Sequence, residues 1–182
     1  MKQFPKKLSK GSAGFTMIET LIAIAVLMLA VAGPLTLAAQ GLISARFAKD
    51  QIVAFYLAQE AVEVIRNQRD INALHNREWN FGLQTCRSSV GCQVDATVSV
   101  GGESHEFERC DNTSGCDVLN RHDSTGFYSY ESTSGYDPSR FTRTIKMQQV
   151  SDVESKADIT IEWNNGPIDQ SFTIQENFMD WQ

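Results

Sequence analysis

No charged residue occurs between Thr20 and Ala45, and that run decides most of what this chain can fold into. Within it, residues 20–39 read TLIAIAVLMLAVAGPLTLAA, long enough as a helix rising about 1.5 Å per residue to cross the roughly 30 Å of a bilayer core. A core helix of a soluble domain shows one apolar stripe; this run is apolar on every face. Lys2, Lys6, Lys7 and Lys10 precede it, with no acid before Glu19. The positive-inside rule then keeps the N-terminus cytoplasmic and sends the bulk of the chain outward. A single-pass protein of the cytoplasmic membrane with an exported C-terminal part is expected.

Glu19 does not fit a plain anchor. An ionised carboxylate costs roughly 2.5–3.5 kcal/mol at the centre of a membrane helix and less at its interface. Either it snorkels at headgroup depth, or it has a cationic partner. Nothing within the helix supplies one, so the partner must come from another chain or from processing.

The helical pattern continues beyond the apolar run, from residue 40 to about Asp70. Leu42, Ala45, Ile52, Phe55, Ala58, Val62 and Ile65 recur at three- and four-residue steps, with Arg46, Lys49, Asp50, Gln59, Glu63 and Arg66 opposite. No Pro or Gly interrupts residues 42–80, so one helix of more than fifty residues is expected. Gly33–Pro34 is its weak point, because Pro34 has no N–H for the carbonyl of Ala30. The pair reads as a kink or as a site where the helix loosens during assembly.

After Asp70 the texture changes. Residues 82–139 hold most of the glycines and all four Cys, which reads as loops and short strands. Val94, Ala96, Val98 and Val100 alternate as a strand, and Phe141, Ile145 and Met147 share a parity with Arg143 in a second. Ile159, Ile161 and Trp163 alternate with Asp158, Thr160 and Glu162, and Asn164-Asn165-Gly166-Pro167 turns the chain into a return strand through Phe172 and Ile174. Phe178 and Trp181 are expected to close the base of the core. An antiparallel sheet with one apolar face needs a cover, and the amphipathic half of the helix offers it. The expected fold class is α+β.

The acidic balance, a formal charge of -6 and a pI near 5.0, argues against a nucleic-acid partner. Cys86 and Cys92 form C-x5-C, as do Cys110 and Cys116. An even count in an exported segment favours disulfides; of three possible connectivities, the two local loops 86–92 and 110–116 are expected. A four-thiolate zinc site is the rival, but its usual spacing is C-x2-4-C. No metal and no cofactor are expected. His75, His105 and His122 share no ligand spacing, and Asp123-Ser124-Thr125-Gly126 reads as a turn rather than a protease loop, whose tripeptide it breaks. Asp111, Asn112 and Asp117 suggest a calcium loop only weakly, without an EF-hand pattern. No nucleophile-elbow, phosphate-loop or zinc-protease motif occurs, so an enzyme is not expected.

Residues 14–27, GFTMIETLIAIAVL, resemble the N-terminal cleavage and methylation motif of type IV pilins and type II secretion pseudopilins. The likeness rests on the short basic leader, Gly14, Phe15, Glu19 and the unbroken apolar helix. LAQEAVEVIRNQRD over residues 57–70 and the C-terminal stretch also look like PilV-type minor pilins. The resemblance implies that prepilin peptidase cuts between Gly14 and Phe15 and methylates the new amine. It implies that an inner-membrane assembly platform then moves the chain from the membrane into an extracellular filament. Glu19 would neutralise the N-terminal amine of a neighbouring pilin subunit, an assembly role and not a catalytic one. Loss of the leader removes four Lys and no acid, taking the chain from -6 to -10. The implied organisation is a leader at 1–14, a membrane and filament-core helix at 15–39, its amphipathic continuation at 40–70 and an exported head at 71–182.

Three other readings fit the same sequence. A type II secretion pseudopilin shares the same motif. A secreted binding protein would use the apolar run as an ordinary signal, cut near Thr36-Leu37-Ala38. A membrane-anchored binding protein would keep Met1 and never polymerise.

Overall fold

The computed structural model describes residues 14–98, 105–166 and 168–180. The leader's four Lys, Val100, Pro167 and Trp181 lie outside the described residues. The chain divides into two compact units, the first ending at Arg46 and the second starting at Phe47. The first contributes the start of α1 (Met17–Leu74), a helix of 58 residues. All of its described residues are exposed, and α1 is long and apolar enough there to cross a membrane. Pro34 sits inside α1 without ending it. Two residues on, the Thr36 hydroxyl donates to the Ala32 carbonyl at 2.8 Å.

In the second unit α1 buries a stripe through Ala54, Leu57, Ala58, Ala61, Ile65, Gln68 and Asn72. This corrects the stripe read from spacing. Ala58, Val62 and Ile65 are buried as expected, but Ile52 and Phe55 are 56% and 41% exposed, while Asp50, assigned to the polar face, is 8% exposed. The three alanines explain the difference: their small side chains let the sheet approach closely, and the helix turns that face inward. Asp50 is tolerated there because Arg140 Nη1 donates to it at 3.0 Å. Past Leu74 the chain turns at a left-handed residue, Asn76 (φ 52°), and the N–H groups of His75, Arg77 and Asn76 bond to the carbonyls of Ile71, Asn72 and Ala73, three of the last four of the helix.

Against this helix lies one antiparallel sheet of seven strands: β1 (Cys92–Val94), β2 (Phe107–Arg109), β3 (Val118–His122), β4 (Tyr128–Ser129), β5 (Tyr136–Ser151), β6 (Glu154–Asn165) and β7 (Ile168–Met179). The long β5 is its spine. One edge pairs with β6, and the other receives β1 at Ile145 and β3 at Thr142 and Tyr136. The expected parities hold: Phe141, Arg143, Ile145 and Met147 are buried on β5, and Ile159, Ile161 and Trp163 on β6. The β6–β7 hairpin turns at Gly166 (φ 73°), and Phe178 is 1% exposed in the core. The expected 94–100 strand is corrected: β1 ends at Val94, and Ala96 and Val98 are not in a strand.

Asp95 causes that ending. Its carboxylate accepts from the Thr97 N–H and hydroxyl, the Ser129 hydroxyl and the Tyr130 N–H, pulling the chain out of the ladder and fixing β4 beside it. Burial pushes this carboxyl up, but the four hydrogen bonds outweigh it and hold it below the usual aspartate value. A depressed folded value adds stability above the unfolded value and loses it as pH falls through the folded one. Urea midpoints should therefore fall as pH drops below about 4, and Asp95→Asn should flatten that fall while costing about 1 kcal/mol at neutral pH, discounted for half exposure. An unchanged acid limb in the variant would contradict this role.

Two more buried polar groups tie the unit together. Arg143, fully buried, donates to Leu57 O (3.1 Å) and Glu60 Oε2 (2.6 Å) on α1 and to Val94 O (2.6 Å) on β1. Asn72, also fully buried, donates to the carbonyls of Trp79 and Phe81 and accepts from Gln68, ordering the loop after the helix.

Candidate functional site

Gly14, Phe15 and Thr16 are not helical, and α1 begins at Met17. Thr16 is the cap: its hydroxyl accepts from the Glu19 N–H at 3.3 Å, and its carbonyl receives the N–H groups of Glu19 and Thr20. Glu19 thus stands in the first turn, where the helix presents unpaired N–H groups and the positive end of its dipole. Thr16 was not singled out from the sequence, although Thr-x-x-Glu before an apolar run is the capping-box pattern. That pattern is the signal that reaches it.

Phe15 is 78% exposed, and a Cβ built on Gly14 meets nothing within 4 Å. The fold itself therefore places no demand for glycine at 14. The Gly14–Phe15 bond lies in exposed backbone ahead of the helix, the form in which a peptidase can take a chain. Cutting there would put an ammonium group on Phe15, four residues from Glu19 and next to the helix's positive end. Both cationic features favour a carboxylate nearby. Beyond Glu19, Gly33 likewise has nothing within 4 Å of a built Cβ, and α1 continues through Gly33–Pro34.

The remaining candidates lie in the second unit. Cys86 is bonded to Cys92 and Cys110 to Cys116, with Cα separations of 4.6 and 4.4 Å. The first pair is fully buried and anchors the 3-10 turn Leu83–Arg87 to β1; the second closes the turn after β2. Asp111 accepts from Thr113 and Ser114, Asn112 accepts from Arg109, and Asp117 accepts from Gln93. These groups shape turns, and among the described residues no cluster of three or more His, Cys, Asp or Glu is placed to hold a metal. Asp123, Ser124 and Thr125 form the turn between β3 and β4, closed by the Gly126 N–H on His122 O. His122 Nδ1 accepts from the Thr125 N–H, and its ring meets Tyr136 edge-on at 4.7 Å. His105 Nδ1 lies 2.9 Å from Val98 O, and His75 follows the helix directly, its backbone N–H on Ile71 O. The three His are not brought together.

The prokaryotic N-terminal methylation motif matches this chain over residues 9–33. No curated protein and no solved structure matches it. The motif is the signature of type IV pilins and pseudopilins, and a long N-terminal helix with a curled antiparallel sheet is the pilin-like α+β architecture. For proteins that carry it, the motif implies assembly with other pilin subunits and handling by prepilin peptidase. Motif and apolar helix also fit anchoring in a membrane before passage into a filament.

Proposed function

We propose that this chain is a minor pilin, PilV-like in type, inserted with its N-terminus in the cytoplasm and cut between Gly14 and Phe15. The observation that carries the reading is Glu19 in the first turn of a helix whose apolar residues are exposed on every side as far as Arg46. Lipid covers such a surface before assembly, and the helices of neighbouring subunits cover it afterwards. On leaving the membrane, Glu19 pairs with the methylated amine of an adjacent subunit's first residue. In low dielectric a paired carboxylate is tolerated and an unpaired charge costs several kcal/mol. The loosened point of the helix in the filament is Gly33–Pro34, and the disulfide-braced head faces solvent without catalytic work of its own. A pseudopilin of a type II secretion system would use the same residues in the same way, and the surrounding export machinery distinguishes the two.

Glu19→Val is the test. Cleavage should be intact, with the processed chain in the membrane at wild-type amount, while the share in sheared filaments falls at least about tenfold, the equivalent of 1.4 kcal/mol. Wild-type incorporation of the variant would sink the assembly role.

A further inference from the structure

β7 is the one long strand of the described sheet with a free edge. It pairs only with β6, through twelve continuous register pairs without a bulge. Other edge strands protect themselves by being short, as β2 and β4 are at three and two residues, or by carrying Lys, Pro or a bulge. β7 (IDQSFTIQENFM) has no Lys, Arg or Pro. Alternate residues therefore turn their N–H and C=O groups to an unpaired edge.

The helix surface beside that edge is also bare. On the β7 side the sheet touches α1 where the Phe55 ring meets Phe172 at 6.0 Å and Arg66 meets Glu176 at 2.6 Å. On the far side it touches α1 where Arg143 reaches Leu57 O and Glu60. Between these flanks Ile52 and Tyr56 are 56% and 64% exposed, and Gln59 and Glu63 are exposed as well. At the strand spacing of about 4.8 Å, one further strand beyond β7 would lie over this arc.

We propose that the β7 edge receives an extended, cationic strand from a partner protein, which becomes the eighth strand of the sheet and covers Ile52, Phe55 and Tyr56. Main-chain hydrogen bonds supply the grip, and one parity of the incoming strand is apolar to meet the helix. Charge selects the partner. β7 carries Asp169 and Glu176, the latter already paired with Arg66, and no cation of its own, and residues 47–182 hold 21 of the 22 acids against 11 of the 16 Lys and Arg. A second copy would bring a like-charged strand to the same edge, whereas a Lys- or Arg-bearing strand is attracted. The proposal does not depend on whether the filament is a pilus or a secretion pseudopilus.

The test uses the full chain in detergent micelles and a labelled twelve-residue peptide of alternating Lys and Val. Fluorescence anisotropy reads binding, and amide hydrogen exchange locates it. The Lys–Val peptide should bind and protect β7 amides. Binding should weaken at least about tenfold for a Glu–Val peptide, for a Lys–Val peptide N-methylated along one edge, for Ser171→Lys with Gln175→Lys, and for Ile52→Ser with Tyr56→Ser. All four substituted positions are exposed, so these chains should fold, which the exchange pattern of β5 and β6 verifies. No binding of the Lys–Val peptide, equal binding of the Glu–Val or N-methylated peptide, or equal binding by the variants overturns the proposal. So does protection of β7 by self-association without peptide, because the occupant would then be a second copy.

Discussion

Gly14→Glu is expected to leave the protein in the envelope as an uncut precursor that still carries its four-Lys leader, with none of it in filaments. The reason lies outside the fold. A Cβ at position 14 meets nothing within 4 Å, and residues 14–16 are not helical, so no packing is lost when a side chain is added. Any effect of the substitution must come from whatever grips the Gly14–Phe15 bond. Amounts in the membrane and the acid and urea sensitivity of the second unit should match wild type. Processing of the variant at the wild-type rate would mean that no agent reads position 14, and the account of the site would fail there.

The largest change in stability is expected from Arg143→Ala. Its guanidinium is wholly buried and joins three segments: α1 through Leu57 O and Glu60, β1 through Val94 O, and β5 through its own backbone. Breaking a buried ion pair typically costs 3–5 kcal/mol. Here the cost should be about 3 kcal/mol, the low end of that range. Glu60, with its side chain 37% exposed, can turn to water once its partner is gone. Two carbonyls also lose a charged donor. Arg143→Met should be milder, because it keeps most of the packed volume. Arg143→Lys should not restore stability, because one ammonium replaces a planar fork that reaches α1 and β1 together. Urea unfolding of the full chain in detergent measures all three, and a loss under about 1 kcal/mol for the alanine variant would contradict the tie.

How much of this is legible in the sequence depends on what reads each segment. Gly14, Phe15, Glu19 and the apolar run are legible because the agents that would read them in the proposed function, a bilayer and a peptidase, act on local chain chemistry. β6 and β7 are legible because their alternation is strict and their turn is short. The helix stripe is misread because spacing rewards Ile52 and Phe55 and overlooks Ala54 and Ala61, whose value is that they are small. β3 and β4 escape notice because they are short and polar, and β4 is held by Asp95, 34 residues from Ser129. Arg143 shows its inward parity in the sequence, but its partners sit 83 to 86 residues away on α1 and 49 away on β1. Long-range polar ties of that kind leave no periodic mark. Thr16 is the opposite case: the pattern is local and complete, and only the cap geometry shows its use.

The measurement that tests the central claim most directly is the intact mass and N-terminal sequence of the protein from the cell envelope and from sheared filaments. The account predicts a chain that begins at N-methylated Phe15 in both fractions. A chain that begins at Ala39 or Gln40 would make the apolar run an ordinary signal, and an intact Met1 would make it a fixed anchor; either result contradicts the assembly role of Glu19.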